Sequence, residues 1–148
     1  MKPSDRRVWA AMRARLWPEH PAEELDSEMD TLLAEGDFWT FIAEEADGTP
    51  AGFAEFSIRK FANGCTSRPV PFLEGIWIEP DYRRQGAGRA LIEHAGTFFG
   101  ERGFRELGSD AKLENTASHH AHQGWGFCET ERVVYFRKLL DSPAGRDT

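Results

Sequence analysis

The stretch Ile78-Glu79-Pro80-Asp81-Tyr82-Arg83-Arg84-Gln85-Gly86-Ala87-Gly88-Arg89-Ala90-Leu91-Ile92 decides the reading of this chain. A strand-like run, Phe72 to Ile78, ends where it begins, and an amphipathic helical pattern, about Gly88 to Arg102, starts where it finishes. Glycine at Gly86 and Gly88 lets a ligand approach the backbone, and a helix start leaves several N–H groups without partners. Those amides, the positive end of the helix dipole and the side chains of Arg83, Arg84 and Arg89 make an anion site. The Lys-Ser/Thr pair of a P-loop is missing, and the spacing is not that of a dinucleotide fingerprint. A merely basic surface helix end is the alternative, and three arginines at a strand-to-helix junction weigh against it.

Outward from that loop the chain divides into regular segments. Ser4 or Asp5 is placed to cap a first helix carrying Val8, Trp9, Met12 and Leu16, which Pro18 ends. A second helix spans Pro21 to Ala34 with Gly36 as its stop. Strand patterns follow at Phe38 to Glu45 and Ala51 to Arg59, joined by an Asp47-Gly48 hairpin turn, and then at Phe72 to Ile78. Beyond the Gly88–Arg102 helix come a strand from Phe104 to about Ser109, a helix from about Asn115 to Gln123, and a long strand from Phe127 to Lys138. Residues 1–140 read as one domain, and 141–148 as a disordered tail with no hydrophobic pattern. The order α-α-β-β-β-α-β-α-β describes an α/β fold, a mixed sheet with helices on its faces.

Bulk properties narrow the partners. The 148 residues suit one domain, and the net charge of -7 disfavours nucleic acid, whose phosphates want a basic surface. An acidic protein is suited to a cationic ligand. No apolar run reaches the ~20 residues of a membrane helix, and the N-terminus lacks the apolar stretch of a secretory signal. Two cysteines, Cys65 and Cys128, make no disulfide framework, so a cytoplasmic location is expected. His119, His120 and His122 lack the supporting ligands of a metal site, and no metal is expected.

Arg83-Arg84-Gln85-Gly86-Ala87-Gly88 matches the Arg/Gln-x-x-Gly-x-Gly/Ala pattern of the GCN5-related N-acetyltransferases, and the element order resembles theirs from about Val8 to Lys138. Leu16-Trp17-Pro18, Phe72 to Ile78, Ser109-Asp110-Ala111 with Asn115, and Gly126 to Phe136 resemble one branch, the aminoglycoside 6′-N-acetyltransferases. The resemblance implies a central, mostly antiparallel sheet splayed at a parallel strand pair and flanked by helices. It implies acetyl-coenzyme A as co-substrate, with its pyrophosphate on the amides of Arg83 to Arg89 and its pantetheine arm in the splay beside Ile76, Trp77 and Ile78. A backbone N–H near Trp77 or Ile78 would polarise the thioester carbonyl. Asn115 and His122 are expected at the coenzyme; His122 stands where many relatives carry a tyrosine that protonates the departing thiolate. The family fold begins with a strand before the first helix, yet only Met1 to Ser4 precede it here: either that edge strand is dispensed with or the chain start lies downstream of the true one. A missing edge invites pairing, relatives are often dimers, and a homodimer is expected.

An acetylated amine must lose a proton, because an ammonium has no lone pair to attack a thioester. Glu74 lies mid-strand, on one face with Phe72, Ile76 and Ile78 by period-two alternation, and a carboxylate there is either buried at a cost or lines a cleft. Asp110 follows the next strand's end, where α/β sheets bind ligands. The resemblance implies that both hold and deprotonate the amine; a structural carboxylate bonded to loop amides is the alternative for each. Trp17, Phe61 and Glu131 are further candidates for the acceptor pocket, with core packing or a solvated edge as equal alternatives. Attack is expected to be direct, in a ternary complex, since no cysteine has the surroundings of a nucleophile. Two rivals remain: an acetyltransferase for a polyamine, another small amine or a protein N-terminus, and a non-catalytic acyl-coenzyme A binding module.

Overall fold

The computed structural model describes residues 3–141. Two helices, α1 (Pro3–Leu16) and α2 (Ala22–Glu35), precede three strands, β1 (Phe38–Glu44), β2 (Pro50–Arg59) and β3 (Val70–Ile78). A short 3₁₀ turn (Pro80–Tyr82) leads to α3 (Ala87–Glu101) and then α4 (Thr116–Gly124). α1 already begins at Pro3, so Ser4 and Asp5 fall inside its first turn instead of capping it; proline suits that turn because its missing N–H would be orphaned anyway. α2 stops at Gly36 in the left-handed conformation, φ 82°. Among the described residues no helix is long and apolar enough to cross a membrane.

The sheet order is β1-β2-β3, antiparallel throughout. At the β1–β2 hairpin Gly48 takes φ 88° and Thr49 N donates to Asp47 Oδ1 at 2.9 Å, as the Asp-Gly pair predicts. The sheet is covered on both faces. On one, Phe41, Phe56, Leu73, Leu91 and Phe99 pack α3 down, with Phe56 and Phe99 ring centres 5.4 Å apart. On the other, Trp9, Met12 and Met29 of α1 and α2 meet Phe53, with Ile42 and Trp77 alongside.

Two predicted strands take another form. The Phe104–Ser109 strand contracts to one parallel bridge, Phe72 to Gly108, in which Leu73 N donates to Gly108 O and Gly108 N to Pro71 O, both at 2.8 Å. Past that bridge the chain leaves β3, so the expected splay is present and the expected ladder is not. The Phe127–Lys138 strand is absent: its residues carry no regular secondary structure, and Val134, Tyr135, Phe136, Leu139 and Leu140 stand exposed. Alternation says which face a strand would bury, but a ladder also needs a neighbouring edge, and within the described chain none pairs with it. The predicted tail, apart from Asp141, lies outside the described residues.

A bulge lies at the centre of β3. Glu55 of β2 pairs with Gly75 and Phe56 with Leu73, which leaves Glu74 as the extra residue. Such an insertion breaks the alternation and re-aims side chains. Phe72, Glu74, Ile76 and Ile78 therefore do not share a face: Ile76 and Ile78 join Leu73 against α3, while Glu74 turns to Ser57 and Arg59 on the α1 side.

Candidate active site

Glu74 is held by three hydrogen bonds. Ser57 Oγ donates to its Oε2 at 2.6 Å, Arg59 Nε donates to the same oxygen at 2.9 Å, and an Arg59 terminal nitrogen donates to Oε1 at 2.7 Å. The Arg59 guanidinium also lies 3.6 Å from the centre of the Phe72 ring. Two residues beyond the parallel bridge stand Glu74 in one chain segment and Asp110 in the other. Both carboxylates act on Arg59: the hydrogen bonding it donates to Glu74 is the largest influence raising its already high pKa, and the charge of Asp110 adds to it. The structure thus gathers Glu74 and Asp110 around one cationic position.

Trp17 borders this position. Its ring lies over Gly75, where a Cβ would come within 2.8 Å of it, so the residue beside Glu74 has room only for hydrogen. Beneath Trp17 sits the guanidinium of Arg13, 4.9 Å from the Trp17 ring centre and 5.5 Å from that of Trp9. Phe61 and Glu131 are not drawn in. Phe61 is 61% exposed with Arg68 above its ring, and Glu131 is exposed on the unpaired C-terminal segment.

At the other end of β3 the chain turns into the glycine loop. Gly86 caps α3 with φ 87°, and nothing lies within 4 Å of where its Cβ would be, which leaves its backbone open to a ligand. Arg84 shares the left-handed conformation, φ 64°, and is exposed. Ala90 N is bonded to Gly86 O at 2.9 Å, so the amides of Ala87, Gly88 and Arg89 form the unfilled first turn. The other residues serve the loop itself. Arg83 Nε donates to Ile78 O at 2.9 Å and stacks on Trp77; Gln85 donates to Asp81 O at 3.1 Å; Arg89 donates to Gly124 O at 2.7 Å. Gly88 has a different cause from Gly86: the Trp125 indole nitrogen lies 2.6 Å from where its Cβ would be, so packing alone excludes a side chain. Along the edge facing away from β2, strand β3 is paired only at Phe72; Gly75 to Ile78 carry no ladder partner there among the described residues.

Asn115 caps α4, accepting a hydrogen bond from Ser118 N at 3.2 Å. His122 lies between Ser109 and Ser118. Its Nδ1 is 2.7 Å from the Ser118 carbonyl oxygen and must carry the proton, so in the neutral ring Nε2 accepts from Ser109 Oγ at 2.7 Å. His119 reaches the Lys112 carbonyl at 2.9 Å, and no group of three or more potential metal ligands converges among the described residues.

Sequence reading overlooked Ser57, Arg59, Arg13 and Glu55. Ser57 and Arg59 stand two apart on β2, the signature of a shared face. Pairing them with Glu74 required knowing the bulge.

This combination, an open glycine-capped helix start beside a splayed strand that carries a bulged carboxylate, is that of a coenzyme-dependent acyltransferase. The chain belongs to the GNAT acetyltransferase family, whose family model matches residues 9–127. It is 42% identical to an aminoglycoside N(6′)-acetyltransferase type 1 of Stenotrophomonas maltophilia, covering 96% of this chain and 92% of that protein. Its identity to the enzyme of the same name from Salmonella typhimurium is 43%, with 88% and 90% covered. Among solved structures it resembles AAC(6′)-Iy in complex with the bisubstrate analog CoA-S-monomethyl-acetylneamine, with a TM-score of 0.86, 40% identity and 95% of each chain covered. AAC(6′)-Ih from Acinetobacter baumannii gives 0.85 at 37% identity, with 95% and 96% covered.

Proposed function

We propose that this chain transfers the acetyl group of acetyl-coenzyme A to an amino group of aminoglycosides, the 6′-amine in keeping with the names of its relatives. The observation that carries the reading is Glu74: a bulged carboxylate already holding a cation, at the edge where β3 loses its parallel neighbour. In the reaction an acceptor ammonium docks against Glu74 and Asp110, gives up its proton to one of them, directly or through water, and its lone pair attacks the thioester carbonyl. Collapse of the tetrahedral adduct breaks the C–S bond, the nitrogen sheds its second proton, and coenzyme A leaves as a thiolate that takes up a proton. The unpaired edge around Trp77 and Ile78 supplies the N–H that steadies the developing oxyanion, and the amides from Gly86 to Arg89 with Arg84 hold the pyrophosphate. Asn115 and His122 border the coenzyme, and Trp17 walls the acceptor; Phe61 and Glu131 are the outer candidates. No acyl-enzyme is involved. The Cys65 thiol is pushed above its usual pKa by burial and by Glu106, which disfavours the thiolate a nucleophile needs.

The protein acts in the cytoplasm, where its two free cysteines stay reduced, and it works as a homodimer. The exposed apolar residues Val133 to Phe136, with Leu139 and Leu140 beyond Arg137 and Lys138, have a strand's composition and no ladder among the described residues, and a second copy supplies both an edge and cover. A monomer by light scattering at micromolar concentration overturns that assignment. The activity is tested by thiol release from acetyl-coenzyme A with kanamycin or tobramycin, run beside spermidine and a short peptide. Saturable turnover with the aminoglycosides alone, lost in Glu74→Gln, is expected; turnover with spermidine or the peptide alone refutes the acceptor class.

A further inference from the structure

We propose that Arg59 is a resident counter-cation: its guanidinium fills the acceptor's ammonium position against Glu74 and must be displaced before a cationic acceptor can be acetylated. The inference rests on the reading of Glu74 as the amine-binding carboxylate. Both Glu74 oxygens are occupied, Oε1 by one Arg59 nitrogen at 2.7 Å and Oε2 by Arg59 Nε at 2.9 Å with Ser57 Oγ at 2.6 Å. Asp110 adds its charge to the same guanidinium, and the Phe72 ring lies beneath it at 3.6 Å. A two-point clamp on a carboxylate, an aromatic platform and a second acid also make a complete recognition set for an ammonium group.

The two cations cannot share this place. Arginine stays charged at any working pH, so it cannot yield by deprotonation and has to move. While it stays, both Glu74 oxygens are engaged and the acceptor's ammonium has no free Glu74 oxygen to dock against. Displacement therefore opens the ammonium position and frees the Glu74 oxygens to accept from the amine. The pair is open to exchange: Arg59 is the last residue of β2 and its side chain is 42% exposed, so a charged ligand can reach it from solvent. One cation replaces another, so the site keeps its charge balance throughout, and an uncharged ligand has nothing to offer in return for the guanidinium. Arg59 thereby contributes to selecting polycationic acceptors.

The test is steady-state kinetics with kanamycin varied at saturating acetyl-coenzyme A. Arg59→Gln is expected to lower the acceptor KM about two- to fivefold, the range that one weak ion pair spans, and to leave the acetyl-coenzyme A KM in place. Arg59→Lys, which keeps the charge, is expected to stay near the parent KM. A raised acceptor KM in Arg59→Gln would mean that Arg59 positions Glu74 for catalysis, which overturns the proposal. Should Arg59→Gln fail to fold, NMR of the unsubstituted protein decides. The Arg59 Nε–H resonance, assigned by its loss in Arg59→Lys, should be slow to exchange in the free enzyme and fast with kanamycin bound; persistent protection in the complex overturns the proposal. Glu74→Gln separates the two layers. If it retains full turnover, the site reading fails and this inference with it; if it is inactive while Arg59→Gln shows no drop in KM, only the counter-cation role fails.

Discussion

Arg13 and Glu55 form an ion pair inside the protein, with Nε 3.1 Å from Oε2 and neither side chain more than 2% exposed. A terminal nitrogen of Arg13 donates to Glu55 Oε1 at 3.2 Å; the Nε contact is close enough for ion pairing but off-line for a hydrogen bond. Trp9 Nε1 donates to Oε2 at 2.9 Å, and Arg13 continues to Leu25 O and Glu28 on α2. One guanidinium thus ties α1, α2 and β2 together, directly beneath Trp17. Removing Glu55 strands the Arg13 guanidinium in the core, and removing Arg13 leaves a buried carboxyl without its donor; breaking such a pair costs about 3–5 kcal/mol. Arg13→Met is therefore expected to lower the melting temperature sharply, and adding Glu55→Gln to recover part of the loss. A double variant no more stable than Arg13→Met contradicts the pairing.

The same pair makes a pH prediction. Burial pushes the Glu55 carboxyl up to about 7, against the opposing pull of Arg13. A group whose folded pKa is raised binds more protons folded than unfolded, so its stabilisation is fully present below the unfolded value of about 4.5 and is lost as pH rises to about 7. The stability of the parent relative to Glu55→Gln should decline between about pH 5 and 7, measured by thermal melting across that range. An advantage that grows with pH would mean that Arg13 keeps Glu55 ionised throughout.

What the sequence made legible was local. Gly36 and Asp47-Gly48 each act within a few residues, and each was found where its chemistry put it. Arg13 was missed because a charge at the margin of an apolar helix stripe ordinarily points to water; only the tertiary approach of Glu55 reveals that it is buried. The direction of Glu74 was misjudged because one inserted residue inverts strand alternation, and nothing in the local pattern marks a bulge. That Gly88 also packs against Trp125, 37 residues along the chain, could not be read from the loop, because the contact is made only in the folded protein.

The two loop glycines should separate in experiment. Gly86→Ala puts a methyl into open space but forces a left-handed φ, a strain of about 1–2 kcal/mol. Gly88→Ala drives a methyl into the Trp125 indole, an overpacking cost of about 1–3 kcal/mol. The expectation is that Gly86→Ala raises the acetyl-coenzyme A KM several-fold, while Gly88→Ala acts mainly on stability and quenches or shifts Trp125 fluorescence. Equal effects on the acetyl-coenzyme A KM would remove the distinction.

Gly75 offers a probe of the acceptor wall that leaves Trp17 itself unchanged. A Cβ on Gly75 would sit 2.8 Å from the Trp17 ring and 3.3 Å from Leu16, so Gly75→Ala must push the indole off the strand. If Trp17 packs on the acceptor, Gly75→Ala and Trp17→Ala should both raise the acceptor KM, and the double variant should be no worse than either alone. Additive losses would place Trp17 outside the acceptor pocket.

His122 divides structural from chemical roles at the coenzyme end. Its Nδ1 proton is committed to the Ser118 carbonyl and its Nε2 accepts from Ser109, so the neutral ring offers no donor proton toward a departing thiolate. A thiolate of pKa about 8.5 also leaves without much help. His122→Ala should therefore lower kcat less than about tenfold, below what positioned acid catalysis ordinarily contributes, and should leave the alkaline limb of the kcat–pH profile where it was. The larger effect should fall on Asp110, which loses the anchored Ser109 as its neighbour, and should appear as a raised acceptor KM. A hundredfold fall in kcat, with loss of the alkaline limb, would instead make His122 the acid that protonates the leaving group.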